Sequence, residues 1–239
     1  MSYFGWLFDP ANWTGSGGIP ARLVEHLGYV ALAMIIALVI ALPVGAWVGH
    51  TGRGGFLVVG SANALRALPT LGVLILLVTP FGLSIIGPLI ALVVLAVPPL
   101  LAGTYAGVRN VDPAVVDAAR GMGMRGGEVL WRVELPNALP LIIGGVRSAV
   151  LQVISTATIA AYVGLGGLGR YIFDGLAQRD FPQMIGGSLL VALLAIVVDL
   201  LLAALQKVIV SPGLQAAPRS GPRRLRAVPT NRPAAARAA

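Results

Sequence analysis

The stretch GLGGLG at residues 164–169 has the glycine spacing of a dinucleotide-binding turn, G-x-G-x-x-G. There the glycines let the backbone approach a pyrophosphate. The site also needs a β-strand before the motif, a helix after it and an acidic residue about 20 residues further on. Position 184 is Met, and the segment before the motif is a long apolar run. This context excludes a dinucleotide site, although the glycine pattern is complete.

Residue types that perform catalysis or hold metals are scarce in the sequence. The chain has no Cys, which excludes disulfides, thiolate metal sites and cysteine nucleophiles. Its two histidines, His26 and His50, are expected to stand alone at helix ends, and no carboxylates or histidines have metal-ligand spacing. No G-x-x-x-x-G-K-[S/T] sequence occurs, so this chain is not expected to hydrolyse ATP by itself. We therefore expect neither an enzyme nor a bound cofactor or metal.

The composition is that of an integral membrane protein. Hydrophobic residues make up 57% of the 239 residues and charged residues 11%, against roughly 25% charged in a soluble domain. The mean hydropathy is +0.87. A membrane helix needs about 20 mostly apolar residues, and five segments meet that requirement. The predicted spans are 26–49, 56–78, 83–106, 138–163 and 184–207.

The distribution of basic residues predicts how the spans are oriented. Arg53, four arginines between the third and fourth spans, Lys207 and six arginines of the tail fall on one side, against Arg22, Arg170 and Arg179 on the other. Basic loops stay in the cytoplasm, so the N-terminus is predicted outside and the C-terminus inside. Residues 1–22 are expected to lie at the membrane interface and 23–209 to form the membrane domain. Residues 210–239 are predicted to be a disordered basic cytoplasmic tail that is either solvated or in contact with anionic lipid headgroups. Because no stacking aromatics lie between its arginines, it is not expected to bind nucleic acid.

The longest loop on the predicted cytoplasmic side, residues 108–140, has its own helical pattern. Asp112-Pro113 is a helix start, with Asp as the cap and Pro in the first turn. A short helix is predicted over 114–120, ended by Gly121 and Gly123, and a second over 126–133. Leu135-Pro136 is then expected to turn the chain into the fourth span. Such a knob either binds a partner or is a membrane-surface elbow that binds nothing.

The 108–140 loop resembles the signature of the membrane subunits of binding-protein-dependent ABC importers: E-A-A, three residues, G, nine residues, I-x-L-P. This sequence differs from the signature at two positions, with Asp in place of Glu and Val in place of Ile. The pieces NALRALPTL, DAARGMGM, VELPNALP and GLGGLG resemble the glycine betaine, carnitine and choline branch, which imports osmoprotectants. The matching positions are Asp117, Ala118, Ala119, Gly123, Val133, Leu135 and Pro136.

The resemblance implies an all-α membrane protein of the type I importer fold, with about five membrane helices. The loop between the third and fourth is then a coupling helix that seats on an ATPase subunit. It also implies a dimer of ATPase subunits that uses the ATP, an extracytoplasmic substrate-binding protein, and a second permease copy or related permease. Five helices form only half of a central pathway, so the pore is expected at a dimer interface.

Polar residues inside the predicted spans are the candidates for that pathway. A charge within the membrane must face protein or water, so Arg66 either lines the pore or is neutralised by a partner such as Asp199. Small hydroxyl residues either contact cargo or bond back to their own helix, and a tyrosine ring could face a cation. Pro43, Pro69, Pro98 and Pro99 either kink the spans for gating or serve packing. The pathway candidates are Asn63, Arg66, Tyr105, Ser155, Thr156, Thr158 and Tyr162.

The 164–169 loop is predicted to lie at the outer mouth of the fourth span. Its glycines, Gly164, Gly166, Gly167 and Gly169, are interpreted as part of an outer gate or of the docking face for the binding protein, and a plain tight turn is the alternative. Three alternatives for the whole chain stay open. They are a related importer with another small polar cargo, a secondary carrier driven by an ion gradient, and a membrane scaffold with no transport.

Overall fold

The computed structural model describes residues 5–82 and 84–210, and the described residues form helices joined by short connections. Long apolar runs force this result, because a helix satisfies its backbone hydrogen bonds internally when no water is available. The α-helices are α1 (Gly5–Phe8), α2 (Ile19–Thr51), α3 (Gly55–Ala67), α4 (Thr70–Val78), α5 (Ile86–Arg109), α6 (Pro113–Gly121), α7 (Gly126–Val129), α8 (Leu135–Ala160), α9 (Gly169–Gln178) and α10 (Phe181–Ile209).

Within the described residues, four helices are long and apolar enough to cross a membrane: α2, α5, α10 and a continuous helical stretch over Gly126–Val163 that contains α8. These confirm four of the five predicted spans. The fifth predicted span, 56–78, is not one straight helix. It forms α3 and α4, whose axes differ by 95°. Leu68 is extended, with ψ of 137°, and precedes Pro69, which disfavours a helical residue before it. The proline therefore breaks the second span.

The core is a three-helix cluster of α2, α5 and α8 held together by small residues. A Cβ added at Gly103 of α5 would lie 2.8 Å from the Cα of Gly145 of α8, so the two backbones touch there. Gly45 of α2 meets Thr104 of α5 in the same manner. In a membrane, such close approach replaces the hydrophobic effect as the source of helix association. This cluster fixes the positions of every feature described below.

The predicted turn at Leu135-Pro136 is wrong. Leu135 has helical φ and ψ of −61° and −44°, and α8 continues the axis begun in α7. A π-helical segment, Leu130–Glu134, joins them. Pro136 has no N–H to give to the fourth preceding carbonyl, and a π turn shifts the local hydrogen bonds by one residue. The predicted second short helix over 126–133 is thus the first part of the fourth span.

The N-terminal segment packs on the protein. Trp6 in α1 lies edge-on to Tyr171 of α9, with ring centroids 4.9 Å apart, and also covers Gly186 of α10. Its four-residue helix and the 3-10 turn Pro10–Trp13 precede α2. The predicted tail, apart from its first residue Val210, lies outside the described residues.

Candidate functional site

The 108–140 loop forms an ordered knob at one end of the bundle. Asp112 caps α6 by accepting a hydrogen bond from the N–H of Ala114 at 2.9 Å, as predicted. Gly123 has φ of +87°, a left-handed conformation that favours glycine. The predicted helix over 114–120 is thereby confirmed as Pro113–Gly121, and its end lies at the predicted glycines.

The signature residues of this knob divide into an inward and an outward set. Ala119 is buried and anchors α6, whereas Asp117 and Ala118 are exposed. Gly121, Gly123 and Pro136 are also exposed, and Val133 and Leu135 are half-buried. Large apolar side chains sit on the outside of the same knob: Val115, Met122 and Trp131 are 44%, 74% and 72% exposed. Exposed apolar groups on a rigid polar knob are typical of a binding surface.

An unpredicted pair ties this knob to the end of α2. His50 Nδ1 lies 2.6 Å from Glu134 Oε2, and both side chains are largely buried. A Cβ added at Gly126 would lie 3.4 Å from His50 Nε2. The His50 ring therefore lies between Gly126, at the start of α7, and Glu134, at the end of the π-helical segment. The expectation that His50 stands alone is therefore wrong. The pair borders a cavity of about 180 Å³ that Arg109, Asp117 and Arg120 also line.

One face of α8 presents polar side chains away from the core. Ser148, Gln152 and Ser155 are exposed and recur at helical spacing. Tyr162 is exposed in the 3-10 turn Ala161–Val163 that follows α8. Ser148 and Gln152 line a cavity of about 310 Å³ opposite the break between α3 and α4. Ser155 and Tyr162 belong to the predicted set, whereas Ser148 and Gln152 were missed. We name Ser148, Gln152, Ser155 and Tyr162 the polar stripe.

Thr156 and Thr158 do not extend the polar stripe. Thr156 is buried and donates to the carbonyl of Gln152 at 2.8 Å, and Thr158 donates to the carbonyl of Ile154 at 3.0 Å. Both hydroxyls satisfy the helix backbone, as the alternative interpretation held.

The remaining predicted residues are dispersed. Tyr105 lies with its hydroxyl against Gly55, far along the bundle from Tyr162, which packs on Phe173 with centroids 5.4 Å apart. Asn63 is exposed on α3. Arg66 belongs to α3, and its side chain lies outside the described part of the chain.

Asp199 pairs with Arg147, a partner that the sequence analysis did not name. Arg147 Nη2 lies 2.8 Å from Asp199 Oδ1 and 2.9 Å from Oδ2, and Nε lies 3.0 Å from Oδ1. The pair joins the middle of α8 to α10. A single arginine inside the fourth apolar span and a single aspartate inside the fifth were the sequence signal that could have revealed it.

At the opposite end of the bundle, the 164–169 loop wraps around the start of α2. The carboxylate of Glu25 accepts hydrogen bonds from Arg22, Tyr29 and the backbone N–H of Gly167, at 2.9, 2.9 and 2.8 Å. A methyl group at Gly166 would collide with this carboxylate. Gly167 has φ of +83°, and a Cβ there would lie 2.9 Å from the ring of His26.

His26 is completely buried inside α2, which corrects the expectation that it lies at a helix end. The same end is fastened a second time by Tyr171 of α9, whose hydroxyl donates to the carbonyl of Gly17 at 2.7 Å. Burial raises the pKa of the Tyr171 hydroxyl above its ordinary value, and Arg22 offsets part of that rise. The phenol therefore remains a donor at neutral pH.

The chain matches a known family over most of its length. Residues 33–211 match the family of the binding-protein-dependent transport system inner membrane component. The chain is 33% identical to the glycine betaine/carnitine/choline transport system permease protein of Bacillus subtilis (strain 168), over 84% of this chain and 93% of that protein. It is also 33% identical to the osmoprotectant import permease protein of Salmonella typhimurium, over 84% of this chain and 95% of that protein.

A third relative and a solved structure agree with this match. The carnitine transport permease protein of Listeria monocytogenes is 34% identical, over 76% of this chain and 84% of that protein. A membrane chain of the MetNI methionine ABC transporter, solved in inward-facing conformations, superposes with a TM-score of 0.72 over 85% of this chain and 99% of that one, at 21% identity. The structural match shows a shared fold. The chain belongs to the family of binding-protein-dependent transport system inner membrane components.

Proposed function

We propose that this chain is the permease subunit of an ABC importer that carries a quaternary ammonium osmoprotectant, such as glycine betaine, carnitine or choline, into the cell. The observation that carries the proposal is the similarity, over 84% of the chain, to permeases named for those cargoes. The chain acts as a transport component and not as an enzyme, since a separate subunit hydrolyses the ATP.

The 108–140 loop is proposed to seat on that ATPase, which is present as a dimer. Its exposed Met122 and Val115 give the partner an apolar contact, and the exposed Asp117 adds a charged one. The His50–Glu134 pair and the continuous axis from α7 to α8 make the knob rigid with respect to the membrane helices. A displacement imposed on the knob by ATP binding is therefore transmitted to α8 and α2.

The translocation pathway is proposed to follow the polar stripe of α8. Polar side chains on the exposed face of a membrane helix are stable only where they face water or protein. A second copy of this chain, or a related permease, supplies the other wall. The outward surface of α10 is apolar, with Leu193, Ile196 and Leu200 exposed, which suits contact with membrane lipid. Asn63, Arg66 and Tyr105 remain predicted lining residues.

In the proposed orientation the 108–140 loop and the C-terminus are cytoplasmic and the N-terminus is outside. This follows from the excess of basic residues on the side of the loop and tail. The 164–169 loop then faces outward, where an extracytoplasmic substrate-binding protein docks. Its attachment to Glu25 makes it a candidate outer gate.

The test is uptake by the reconstituted complex. The chain is incorporated into liposomes with its ATPase, the binding protein is added outside, and entry of labelled glycine betaine, carnitine and choline is measured with and without ATP inside. We expect uptake that requires ATP and the binding protein. Uptake that needs a Na⁺ or H⁺ gradient and no ATP would indicate a secondary carrier. ATP-driven uptake of another small solute only would keep the family and reject the cargo.

A further inference from the structure

The ion pair between Arg147 and Asp199 lies within two membrane helices, where charges are costly unless they are paired or functional. Each side chain retains 31% of its exposure in the single chain, so the pair is not enclosed in the core. It borders a cavity of about 310 Å³ that Gly144, Ser148 and Leu151 also line. The pair therefore presents two opposite charges, side by side, to an open space.

This space adjoins the polar stripe at Ser148. Ser148 lines the Arg147–Asp199 cavity and also the cavity that contains Gln152 and the break between α3 and α4. A solute at Ser148 on the stripe is therefore next to the cavity that the ion pair borders.

The guanidinium is held in a fixed plane. Arg147 Nε and Nη2 donate to Asp199, and Nη1 donates to Gln206 Oε1 at 3.3 Å. The amide of Gln206 is in turn anchored to the carbonyl of Pro140, at 3.4 Å. These bonds leave part of the donor set of Arg147 unused, and Asp199 Oδ2 accepts one hydrogen bond from the described residues. Both groups can thus interact with a further charged partner.

We infer that Arg147 and Asp199 form a weak binding site for the zwitterionic members of the cargo class, and this inference rests on the proposed function. The carboxylate of the cargo lies against the guanidinium of Arg147, and its trimethylammonium group lies against the carboxylate of Asp199. A zwitterion matches both charges of the pair. Choline has the trimethylammonium group without a carboxylate, so Asp199 attracts it and Arg147 opposes it.

The experiment measures binding of labelled glycine betaine and choline to the permease–ATPase complex in nanodiscs, without the binding protein, so that the specificity of that protein does not enter. The variants are Arg147→Gln and Asp199→Asn. Wild type is expected to bind both probes weakly. Arg147→Gln should lower the ratio of glycine betaine to choline binding roughly tenfold, because it removes the contact that only the carboxylate of glycine betaine makes. Asp199→Asn weakens the trimethylammonium contact of both probes but leaves Arg147 without its neutralising partner, which favours the carboxylate and repels choline, so the ratio should rise by a similar factor. An unchanged ratio in both variants overturns the inference.

The double variant Arg147→Gln/Asp199→Asn separates a binding role from a structural one. Because the double variant leaves no unpaired charge, it can be measured even where a single variant does not assemble. The binding site predicts that it loses both probes. A purely structural pair predicts that it binds both as wild type does, which also overturns the inference.

ATP-driven uptake by wild type is measured in parallel. Uptake without binding of either probe rejects the site and keeps the importer. Absence of ATP-driven uptake rejects the proposed function itself.

Discussion

The carboxylate of Glu25 in α2 accepts a hydrogen bond at 2.8 Å from the backbone N–H of Gly167, which lies 142 residues later in the chain. This bond fixes the 164–169 loop to the start of the first span. The glycine pattern that resembles a nucleotide-binding turn is thus explained by close approach to a carboxylate and to His26. A side chain at either glycine would disturb this attachment for a different reason: a methyl at Gly166 would displace the Glu25 carboxylate, and Gly167 has positive φ.

We predict that Gly166→Ala and Glu25→Ala lower uptake through the same defect, the loss of the hydrogen bond between Glu25 and Gly167. The methyl group displaces the Glu25 carboxylate and breaks its bond to Gly167, which costs about 1.5 to 3 kcal/mol when fully buried and less at this half-exposed site. Uptake in the reconstituted complex should fall several-fold in either variant. The double variant should be no worse than the single ones, because both changes remove one interaction.

Gly28→Ala is the matched control for this prediction. Gly28 lies one turn beyond Glu25 in the same helix, and an added Cβ meets nothing within 4 Å. Its uptake should equal that of wild type. Additive losses for Gly166→Ala and Glu25→Ala would show that the two residues act separately.

We predict that Gly123→Val detaches or uncouples the ATPase while the spans remain inserted. The reason is backbone conformation, since Gly123 has φ of +87° and a Cβ there meets no atom within 4 Å. A β-branched residue at that φ costs about 1 to 2 kcal/mol and shifts the end of α6. Co-purification of the ATPase and ATP-driven uptake measure the effect. Gly127→Ala, exposed and without positive φ, should retain both. Normal co-purification and uptake in Gly123→Val would reject the role of the loop.

The His50–Glu134 pair should determine how well movement of the knob reaches the membrane helices. His50→Ala leaves the carboxylate of Glu134 buried without its partner, which costs about 3 kcal/mol. We expect a lower thermal unfolding temperature and fewer molecules transported per ATP hydrolysed. Thr51→Ala, at the next residue, removes two exposed hydrogen bonds of the hydroxyl with the nearby backbone, to the carbonyl of Trp47 and from the N–H of Arg53, and should have neither effect. Unchanged coupling in His50→Ala would limit the pair to a local packing role.

Packing of α5 on α8 should be sensitive to a methyl group at Gly103, which contacts Gly145, and insensitive to a methyl group at Gly144, the residue before Gly145. Gly103→Ala forces apart two backbones that are in contact, and overpacking of this kind costs about 1 to 3 kcal/mol. Gly144→Ala adds its methyl to open space on the same pair of helices. The thermal unfolding temperature of the purified complex should fall for Gly103→Ala and should be unchanged for Gly144→Ala. Equal temperatures would mean that the helices can separate without cost.

The sequence alone revealed the features that local chemistry controls. Apolar runs predicted the spans because a membrane helix requires about 20 such residues, and Asp112-Pro113 predicted the start of α6 because capping depends on adjacent residues. The proline rules were less reliable. Pro69 breaks a span, whereas Pro136 is accommodated by a π segment, and the difference depends on the packing around each one.

The long-range pairs Glu25–Gly167, His50–Glu134 and Arg147–Asp199 were not predicted, because a single sequence does not give the relative register of helices. His50 and Glu134 are 84 residues apart, and Arg147 and Asp199 are 52 apart. The exposure of each hydroxyl of α8 also depends on the relative register of the helices. Ser155 and Thr156 are neighbours in sequence, yet Ser155 is exposed and Thr156 is buried. Only the helix packing decides which of them can reach a pathway.

The most direct test of the proposed pathway uses the absence of Cys from the chain. Single cysteines are placed at Ser155, on the polar stripe, and at Leu193, on the apolar outward face of α10, in complexes with cysteine-free partner subunits. ATP-driven uptake of glycine betaine is then measured before and after reaction with a bulky thiol reagent. If the polar stripe lines the pathway, uptake requires ATP in both variants and the reagent blocks Ser155→Cys but not Leu193→Cys. Uptake independent of ATP, or equal sensitivity of the two variants, would contradict it.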